Sequence, residues 1–518
     1  MNKILLASLA LSLGWGGTAF AQNEVDALRY TRLGVTGSAR IQGIGGAQTA
    51  LGADISTISA NPAGLGMFRR SEISVSPGIQ SSNTQATVGG FSASDDRSTV
   101  SFPHLGLVVS NRKGDEDGSD WRGASFGVSF TRLNNFNQRL NYQTTSEPFN
   151  TIVDYFADQA NARGRTEADL DAEFGNFTSL EGLAYGTYLI NFRDEFGRPT
   201  TNAQPLFSIG EMNQREEIQR RGSQNQFDLG VGTSFRDRIY LGASLGIMTT
   251  NFTQESIFRE SGYYVDQFDE ETNEVILDGE YSLELRDEFT TRGTGINLKV
   301  GVIARPVDAL RIGLSLQTPT AYNFRDTYQR SLYATTVNPG TGQPENNSAI
   351  ELPGEFSYRL TTPFRATAGV AGFIGKYGFI TADVEFVDYS NMRFSEDDDG
   401  FGTAGDYFTT INNRISSTYR SVVNYRFGAE ARYEVFRFRA GYAHTADPYE
   451  NASFDGEINT YTLGTGLRLK NYYVDLAYVR SKGNSRYSPY VFSSGGGEPV
   501  VDLEQKQSTV MLTLGYNF

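Results

Sequence analysis

The chain has 518 residues, 45 Lys+Arg against 60 Asp+Glu for a formal charge of −15, no cysteine and two histidines. This excludes a disulfide scaffold, a Cys-based zinc site and a thiol nucleophile, and the acidity argues against nucleic acid as a partner. Hydrophobic residues reach 39%, yet 28 Tyr, 35 Phe and 56 Gly give the profile of a membrane β-barrel, whose aromatics gird the wall.

Lys3 precedes an apolar run from Ile4 to Leu13, and Ala19-Phe20-Ala21 stands just before Gln22. A basic start, a short apolar core and an A-x-A-like site predict a secretory signal over 1–21, cleaved between Ala21 and Gln22. The run is too short to span a bilayer. Losing Lys3 leaves 44 − 60 = −16. Without cysteine no lipid anchor is expected, and no later stretch nears eighteen consecutive apolar residues, so the mature chain is expected to be either soluble and exported or a barrel.

Residues 22–70 are rich in Gly, Ala and Ser, with turn signals at Gly43-Ile44-Gly45-Gly46 and Asn61-Pro62-Ala63-Gly64. Lying ahead of the first strand, this segment is expected to fold inside the barrel as a plug. Residues 71–518 carry a period-2 pattern. Phe227, Leu229 and Val231 alternate with Asp228 and Gly230; Ile296, Leu298, Val300 and Val302 with Asn297, Lys299 and Gly301; Leu310, Ile312, Leu314 and Leu316 with Arg311, Gly313 and Ser315. Ile380, Ala382, Val384 and Phe386 alternate with Thr381, Asp383 and Glu385; Phe436, Phe438, Ala440 and Tyr442 with Arg437, Arg439 and Gly441. At the end Val510, Leu512, Leu514, Tyr516 and Phe518 share one face. An apolar face set against charge and glycine, many times over, favours a wall between lipid and a polar interior.

About fourteen strands result, an even number as single-chain barrels require. Short links, as at Phe235-Arg236-Asp237-Arg238 and Ile374-Gly375-Lys376, alternate with long ones, the largest over 143–221. Short turns are expected in the periplasm and long loops outside. In the largest loop Thr151–Ala157 and Leu180–Tyr185 read as short amphipathic helices.

Other motifs carry little. The glycines from Gly43 lack the βαβ setting of a dinucleotide loop. Gly242-Ala243-Ser244-Leu245-Gly246 spells a nucleophile elbow but lies inside an alternating strand, and nothing brings His104 or His444 to Ser244. Asp115-Glu116-Asp117 and Glu396-Asp397-Asp398-Asp399 match no calcium loop and read as solvated turns. No catalytic residue, cofactor or metal is expected. Arg311, Lys299, Arg437 and Arg439 either make an electropositive interior that attracts a carboxylate ligand or pair with Asp383, Glu385 and Asp475; pairing is the favoured reading.

Several segments together resemble the FadL/TodX family of outer-membrane transport proteins. They are Gly46-Ala47-Gln48-Thr49-Ala50 through Asn61-Pro62-Ala63-Gly64-Leu65, Asn135-Phe136-Asn137, Gly293–Gly301, Gln317-Thr318-Pro319-Thr320 with Tyr322, and Thr362-Pro363-Phe364-Arg365. The resemblance implies an all-β, fourteen-stranded antiparallel transmembrane barrel with an N-terminal hatch, integral to the outer membrane of a Gram-negative bacterium. It implies passive transport of hydrophobic small molecules, long-chain fatty acid-like or aromatic, by loop capture, hatch-gated passage and lateral exit through the wall. Carried over, Asn61, Pro62, Ala63 and Gly64 hold the hatch. Asn134 and Asn135 are strand-kink candidates because they interrupt the alternation. Phe149, Ile152, Tyr155, Phe156, Leu183, Leu189 and Ile190 are capture candidates. Expected partners are the hydrophobic ligand, outer-membrane lipid and lipopolysaccharide, and the barrel-assembly machinery, to which Tyr516 and Phe518 are the C-terminal signal. The alternative is a PorV-like scaffold or shuttle whose loops dock protein partners in a secretion or assembly complex.

Overall fold

The computed structural model describes residues 24–518 apart from 115–116, 148–149, 195–196, 269–274, 339–340, 398–404 and 451–453. The expected cleavage site, Ala21 and Gln22, lies outside the described residues. Ahead of the sheet stand three short helices, α1 (Glu24–Thr31), α2 (Ala39–Gln42) and α3 (Thr57–Ala60), and a 3-10 turn, Pro62–Met67.

The sheet opens with β1 (Glu72–Val88), β2 (Phe91–Arg112) and β3 (Trp121–Asn135), which β4 (Gln138–Ser146) continues. A helical excursion follows, α4 (Ile152–Ala162), α5 (Glu167–Asp171) and α6 (Leu180–Gly186), with the ribbon β5 (Ile190–Arg193) and β6 (Pro199–Pro205). Three long strands come next, β7 (Ser208–Phe235), β8 (Ile239–Phe268) and β9 (Val275–Val307). Then come β10 (Leu310–Gln317), β11 (Ala321–Asn338), β12 (Gln343–Ile350), β13 (Gly354–Thr361), β14 (Arg365–Ile374), β15 (Gly378–Asp388) and β16 (Arg393–Glu396). Helix α7 (Gly405–Thr418) precedes β17 (Ser421–Tyr433), β18 (Phe436–Thr445), β19 (Ile458–Arg468), β20 (Tyr472–Tyr487) and β21 (Val501–Asn517).

The ladders run β1-β2-β3-β7-β8-β9-β10-β14-β15-β17-β18-β19-β20-β21, and β21 pairs back with β1 from Glu72↔Asn517 to Thr87↔Asp502. This is a closed 14-strand antiparallel barrel with five extra strands. Closure removes the free edges that would otherwise expose backbone N–H and C=O groups to lipid. The outward positions form an apolar belt, including Ile73, Leu105, Phe126, Phe227, Leu229, Ile296, Leu298, Ile312, Val384, Phe427, Leu463, Leu476 and Leu514. Exposed Trp121, Tyr377, Tyr433, Phe436, Tyr472 and Phe518 ring its turn end. Such rings anchor a barrel at a membrane interface.

A strand needs about ten residues to cross a bilayer, but β7, β8 and β9 have 28, 30 and 33. They continue beyond the belt as a sheet whose outer face is ion-paired rather than apolar, through Arg215–Glu217, Arg259–Glu217, Arg259–Glu284 and Arg286–Glu284. The same extension accounts for a difference from the sequence reading. Residues 81–97 read as a long loop, yet β1 and β2 stay paired to Val88↔Phe91 around a two-residue turn, Gly89-Gly90, with φ of 54° and 86°. Above the belt the outer face is polar and the inner face of β1 offers only Ala86 and Val88, buried against Leu140 and Tyr142, so the contrast in the sequence fades while the ladder continues. A second difference lies at Arg414–Ser417, read as the start of a strand but forming the end of α7. There Phe408, Ile411 and Ile415 bury one helical face.

Candidate functional site

Three rows of inward glycines bring the wall backbone against residues 24–70. Gly232, Gly242 and Gly301 stand side by side across β7, β8 and β9. A Cβ on Gly242 would lie 2.2 Å from Pro62 C and O, and one on Gly301 1.8 Å from Asn61 Oδ1. Gly313 and Gly369 form a second row in register, against Thr49. Gly428 and Gly441 form a third, against Ile44 and Gly45. Only glycine leaves room for backbone on backbone at these points.

Asn61 organises this contact. Its Nδ2 donates to Thr49 O at 2.7 Å, and its Oδ1 accepts from Ala63 N at 3.2 Å, capping the 3-10 turn. Pro62, Ala63 and Gly64 are buried beside it. Asn61→Ala removes both bonds and is expected to cost about 1–2 kcal/mol; chemical denaturation is the measurement, and an unchanged midpoint would contradict the assignment.

The polar wall residues divide between pairing with one another and binding residues 24–70. Asp383 Oδ2 accepts from Gln48 N at 2.8 Å, Thr49 N at 2.9 Å and Thr49 Oγ1 at 2.8 Å. Glu385 pairs with Arg365 and Arg426, both at 3.3 Å. Lys299 stands 3.9 Å from Asp228. Arg439 lies 2.7 Å from Glu430 and 2.7 Å from Asp475, whereas Arg437 is at the turn end and donates to the carbonyls of Glu434 and Phe436. Arg311 reaches Leu51 O and lies over the Phe373 ring. Fixed positive charge in the interior is therefore largely neutralised. Between this layer and residues 24–70 lies a cavity of about 100 Å³, lined by Leu33, Gln48, Ser59, Lys299, Arg365 and Asp383. It is well below the ~300 Å³ of a small-molecule pocket and of a size for a few waters.

Above it is an aromatic chamber. Tyr30 of α1 lies among Phe136, Met248, Phe252, Tyr322, Phe324 and Tyr358, with Phe408, Ile411 and Ile415 of α7 closing the far side. Tyr30 to Phe324 is 4.8 Å between centroids, and Tyr322 stacks on Phe324 at 4.9 Å. Phe136 meets Phe252 edge-on at 5.4 Å. The rings present quadrupolar faces to one another, and Tyr30 of α1 fills the centre of the cluster.

Phe136 also marks an interruption of the wall. β3 stops at Asn135, β4 starts at Gln138, and the register against β7 slips between Arg132 and Asn134. β2 pairs with β3 only from His104↔Thr131 to Arg112↔Gly123, and among the described residues no ladder joins β2 to β4. Side chains cross this seam instead: Asn135 Nδ2 to Thr99 Oγ1 at 3.0 Å, Gln138 Nε2 to Thr84 Oγ1 at 2.9 Å, and Asn141 to Asp95. Asn134 Nδ2 donates to Arg32 O at 3.2 Å and to Gln224 Oε1 at 2.9 Å, so the break is bonded to the N-terminal segment. The proline breaks differ. β10 and β14 stop at Thr318-Pro319-Thr320 and Thr362-Pro363-Phe364, but Thr320 N donates to Thr362 Oγ1 and Thr362 N to Thr320 O, so that pair of strands stays joined.

At the loop end, Ile152, Phe156, Leu183, Leu189 and Ile190 are buried with Met212, Phe258, Tyr281 and Leu332, and Tyr155 stacks on Tyr490 at 5.5 Å; Phe149 lies outside the described residues. These candidates form a closed dome core rather than an open groove. Glu260 holds the dome down, accepting from Ile152 N at 3.0 Å, Gln214 Nε2 at 2.6 Å and Tyr281 OH at 2.9 Å. Burial pushes its carboxyl up from 4.5 to about 7. A raised carboxyl pKa favours the docked state when protonated, so this stabilisation is full below its ordinary pKa and lost as pH rises through about 7. Proteolysis in the dome, normalised to Glu260→Gln, is expected to speed up between about pH 5 and about pH 8; a flat ratio would contradict this.

At the C terminus, Tyr516 packs on Tyr472 at 4.9 Å, and Phe518 N donates to Ser71 O. Ser244 Oγ is buried without a hydrogen bond, while His104 Nδ1 meets Thr131 Oγ1 and His444 Nδ1 meets Asn459 Oδ1, so no nucleophile–base pair forms from them. The glycine rows and the seam had weak sequence signals, since both depend on which strands lie side by side.

No family model and no curated protein matches the chain. Among solved structures, a Pseudomonas aeruginosa FadL homologue aligns over 94% of this chain and 100% of its own, at 13% identity and a TM-score of 0.53. The Pseudomonas putida toluene transporter TodX aligns over 94% and 100%, at 13% identity and 0.49, and the Ralstonia pickettii toluene transporter TbuX over 93% and 99%, at 15% and 0.47.

Proposed function

From the fold the chain shares with a FadL homologue, we propose that this barrel passes hydrophobic small molecules, fatty acid-like or aromatic, across an outer membrane. The short turns lie in the periplasm and the long strands and dome outside. The observation that carries the reading is the seam: a stretch of wall that, among the described residues, is bridged between β2 and β4 by side chains and no ladder opens on the aromatic cluster at Phe136. A lipophile entering beneath the dome displaces α1 from the chamber and leaves sideways through the seam into the membrane. That route keeps it out of water throughout. The bond from Asn134 to Arg32 O lets movement of the N-terminal segment act on the break. Residues 24–70 serve as the hatch, and the glycine rows are its seat.

Liposomes carrying the protein are expected to take up a labelled fatty acid faster than bare liposomes, with little ion conductance; equal uptake would refute the reading. The sheet that β7, β8 and β9 extend beyond the belt also favours a second reading, a PorV-like platform for a protein partner. A large partner that survives gentle detergent extraction supports it, and a clean monomer does not.

A further inference from the structure

Between β20 and β7 the lipid-facing wall caves inward. An apolar depression of about 740 Å³ crosses six neighbouring strands, β20, β21, β1, β2, β3 and β7. Its floor is an unbroken row of opposed side chains, Tyr472, Tyr516, Ile73, Leu107, Val128 and Leu229. A second row, from Val474 to Phe227, runs beside it one outward position further along each strand. Between the two rows the inward positions are small, Gly515, Ser74, Gly106 and Ser129. The wall therefore sinks onto the N-terminal segment: a Cβ on Gly106 would lie 2.3 Å from Ile55 Cγ2, and one on Gly127 2.6 Å from Ile58 Cδ1. Leu107 and Val128 are half-buried as a result, whereas Val109 and Phe126, the next outward positions on the same two strands, are exposed.

The depression climbs from the turn end into the belt. Strands of such barrels tilt by about 35–45°, so a path straight across them rises. On β20 the row begins at Tyr472, directly after the Lys470-Asn471 turn; on β7 Leu229 is followed by the whole stretch to Phe235 before its turn. Five strand spacings of about 4.8 Å make the path about 24 Å long. At its low end stand Arg69, Arg70 and Lys470, all exposed. Arg70 Nη1 donates to Asn471 Oδ1 at 3.2 Å and Nη2 to Lys470 O at 3.1 Å, which sets its guanidinium on the turn that leads into Tyr472. Among the described residues no carboxylate pairs with any of the three. Glu72 faces inward and accepts from Tyr473 OH at 2.6 Å. Asp237 is within electrostatic reach of Arg69 but is held by both terminal nitrogens of Arg112, at 2.9 and 2.6 Å. Elsewhere at the turn end Arg238 and Arg305 share Asp308, at 3.1 Å each.

We propose that this face binds one phospholipid of the turn-end leaflet, its anionic headgroup at Arg69, Arg70 and Lys470 and an acyl chain along the depression. Guanidinium forks suit phosphate oxygens, the lysine adds a point charge, and a headgroup of net negative charge neutralises a set that the protein leaves unpaired. The apolar hollow lies in the belt, where hydrocarbon is the solvent. One leaflet supplies about half of a core about 30 Å thick, which a chain climbing obliquely over about 24 Å can follow. The site goes beyond the transport reading and stands without it. Its upper end, at Phe130 and Phe227, lies just below the register slip between Arg132 and Asn134, so the tail ends beneath the seam.

Native mass spectrometry of the full chain in detergent tests it, with dioleoyl phosphatidylglycerol and dioleoyl phosphatidylcholine as probes. The triple variant Arg69→Gln, Arg70→Gln, Lys470→Gln is expected to bind phosphatidylglycerol roughly a hundredfold more weakly. The set Arg238→Gln, Arg305→Gln, Lys376→Gln, with the same charge change at other turns, is expected to bind it like the parent. Leu107→Trp with Val128→Trp fills the depression without changing charge and is expected to weaken retention as well. The parent is expected to hold phosphatidylcholine as weakly as the triple variant holds phosphatidylglycerol, and excess inorganic phosphate is expected to leave the lipid in place. Heat-modifiable gel migration establishes that each variant is folded. Equal retention by parent and triple variant overturns the proposal, as do equal loss in the set at other turns, parental retention in the filled variant, and equal retention of the two lipids. Full displacement by inorganic phosphate overturns it in favour of a free-anion site, and a lipid-free dimer in favour of a second copy of the chain.

Discussion

Gly301→Val is expected to unseat the N-terminal segment and turn a sealed barrel into a conducting one. The added Cβ meets Asn61 Oδ1 at 1.8 Å and Pro62 Cδ at 3.3 Å, and the next glycine in the row, Gly242, already lies against Pro62. Neither side can give way: the wall is fixed by ladders to β8 and β10, and Asn61 is held by Thr49 O. Overpacking of this kind costs about 1–3 kcal/mol. The strain falls on plug docking, because the barrel closes through contacts that do not involve residues 24–70. Planar-bilayer recording is therefore expected to show large, long-lived openings in the variant and almost none in the parent. Gly372→Ala, where the nearest atom lies 3.7 Å from the added Cβ, is the control and is expected to stay closed. A silent Gly301→Val would contradict the seat.

The second large effect is expected at Arg439→Met. Arg439 is fully buried, bridging Glu430 and Asp475, and both carboxylates are almost completely enclosed. Arg468 adds to Asp475 at 2.8 Å, and Arg40 of α2 approaches Glu430 at 3.8 Å, so the network joins the N-terminal segment to the wall. Removing one member of a buried ion pair leaves uncompensated charge and costs about 3–5 kcal/mol. Urea unfolding of the folded barrel is expected to shift accordingly. Adding Asp475→Asn to the variant is expected to recover part of the loss, since one of the two carboxylates that lost Arg439 is then neutral. A double variant no better than the single would show that the pairing is not what stabilises this layer.

The strands were legible in the sequence because every wall segment separates two solvents. Leu298, Val300 and their intervening Asn297 and Lys299 declare the two faces without knowledge of any neighbour. Where that contrast ends, legibility ends with it. In the upper halves of β1 and β2 the outer face is polar and the inner face of β1 buries only the small Ala86 and Val88, so the turn glycines Gly89 and Gly90 are the clearest hint of a hairpin. Helix α7 was within reach, since Phe408, Ile411 and Ile415 keep a helical spacing that residues 414–417 alone do not show. The seam was half visible: Asn134 and Asn135 break the alternation, but that β2 lacks a ladder to β4 is a matter of register between distant segments. The glycine rows are invisible for the same reason. Gly232, Gly242 and Gly301 read as small residues in three strands until pairing sets them side by side under Pro62.

The most direct measurement is uptake through a locked seam. The chain has no cysteine, so Thr99→Cys with Asn135→Cys introduces the only thiols, at the two side chains whose 3.0 Å contact bridges β2 and the end of β3. In liposomes, the oxidised protein is expected to lose the accelerated uptake of labelled fatty acid, and reduction is expected to restore it. Uptake at the parental rate with the cross-link formed would contradict lateral exit through this seam.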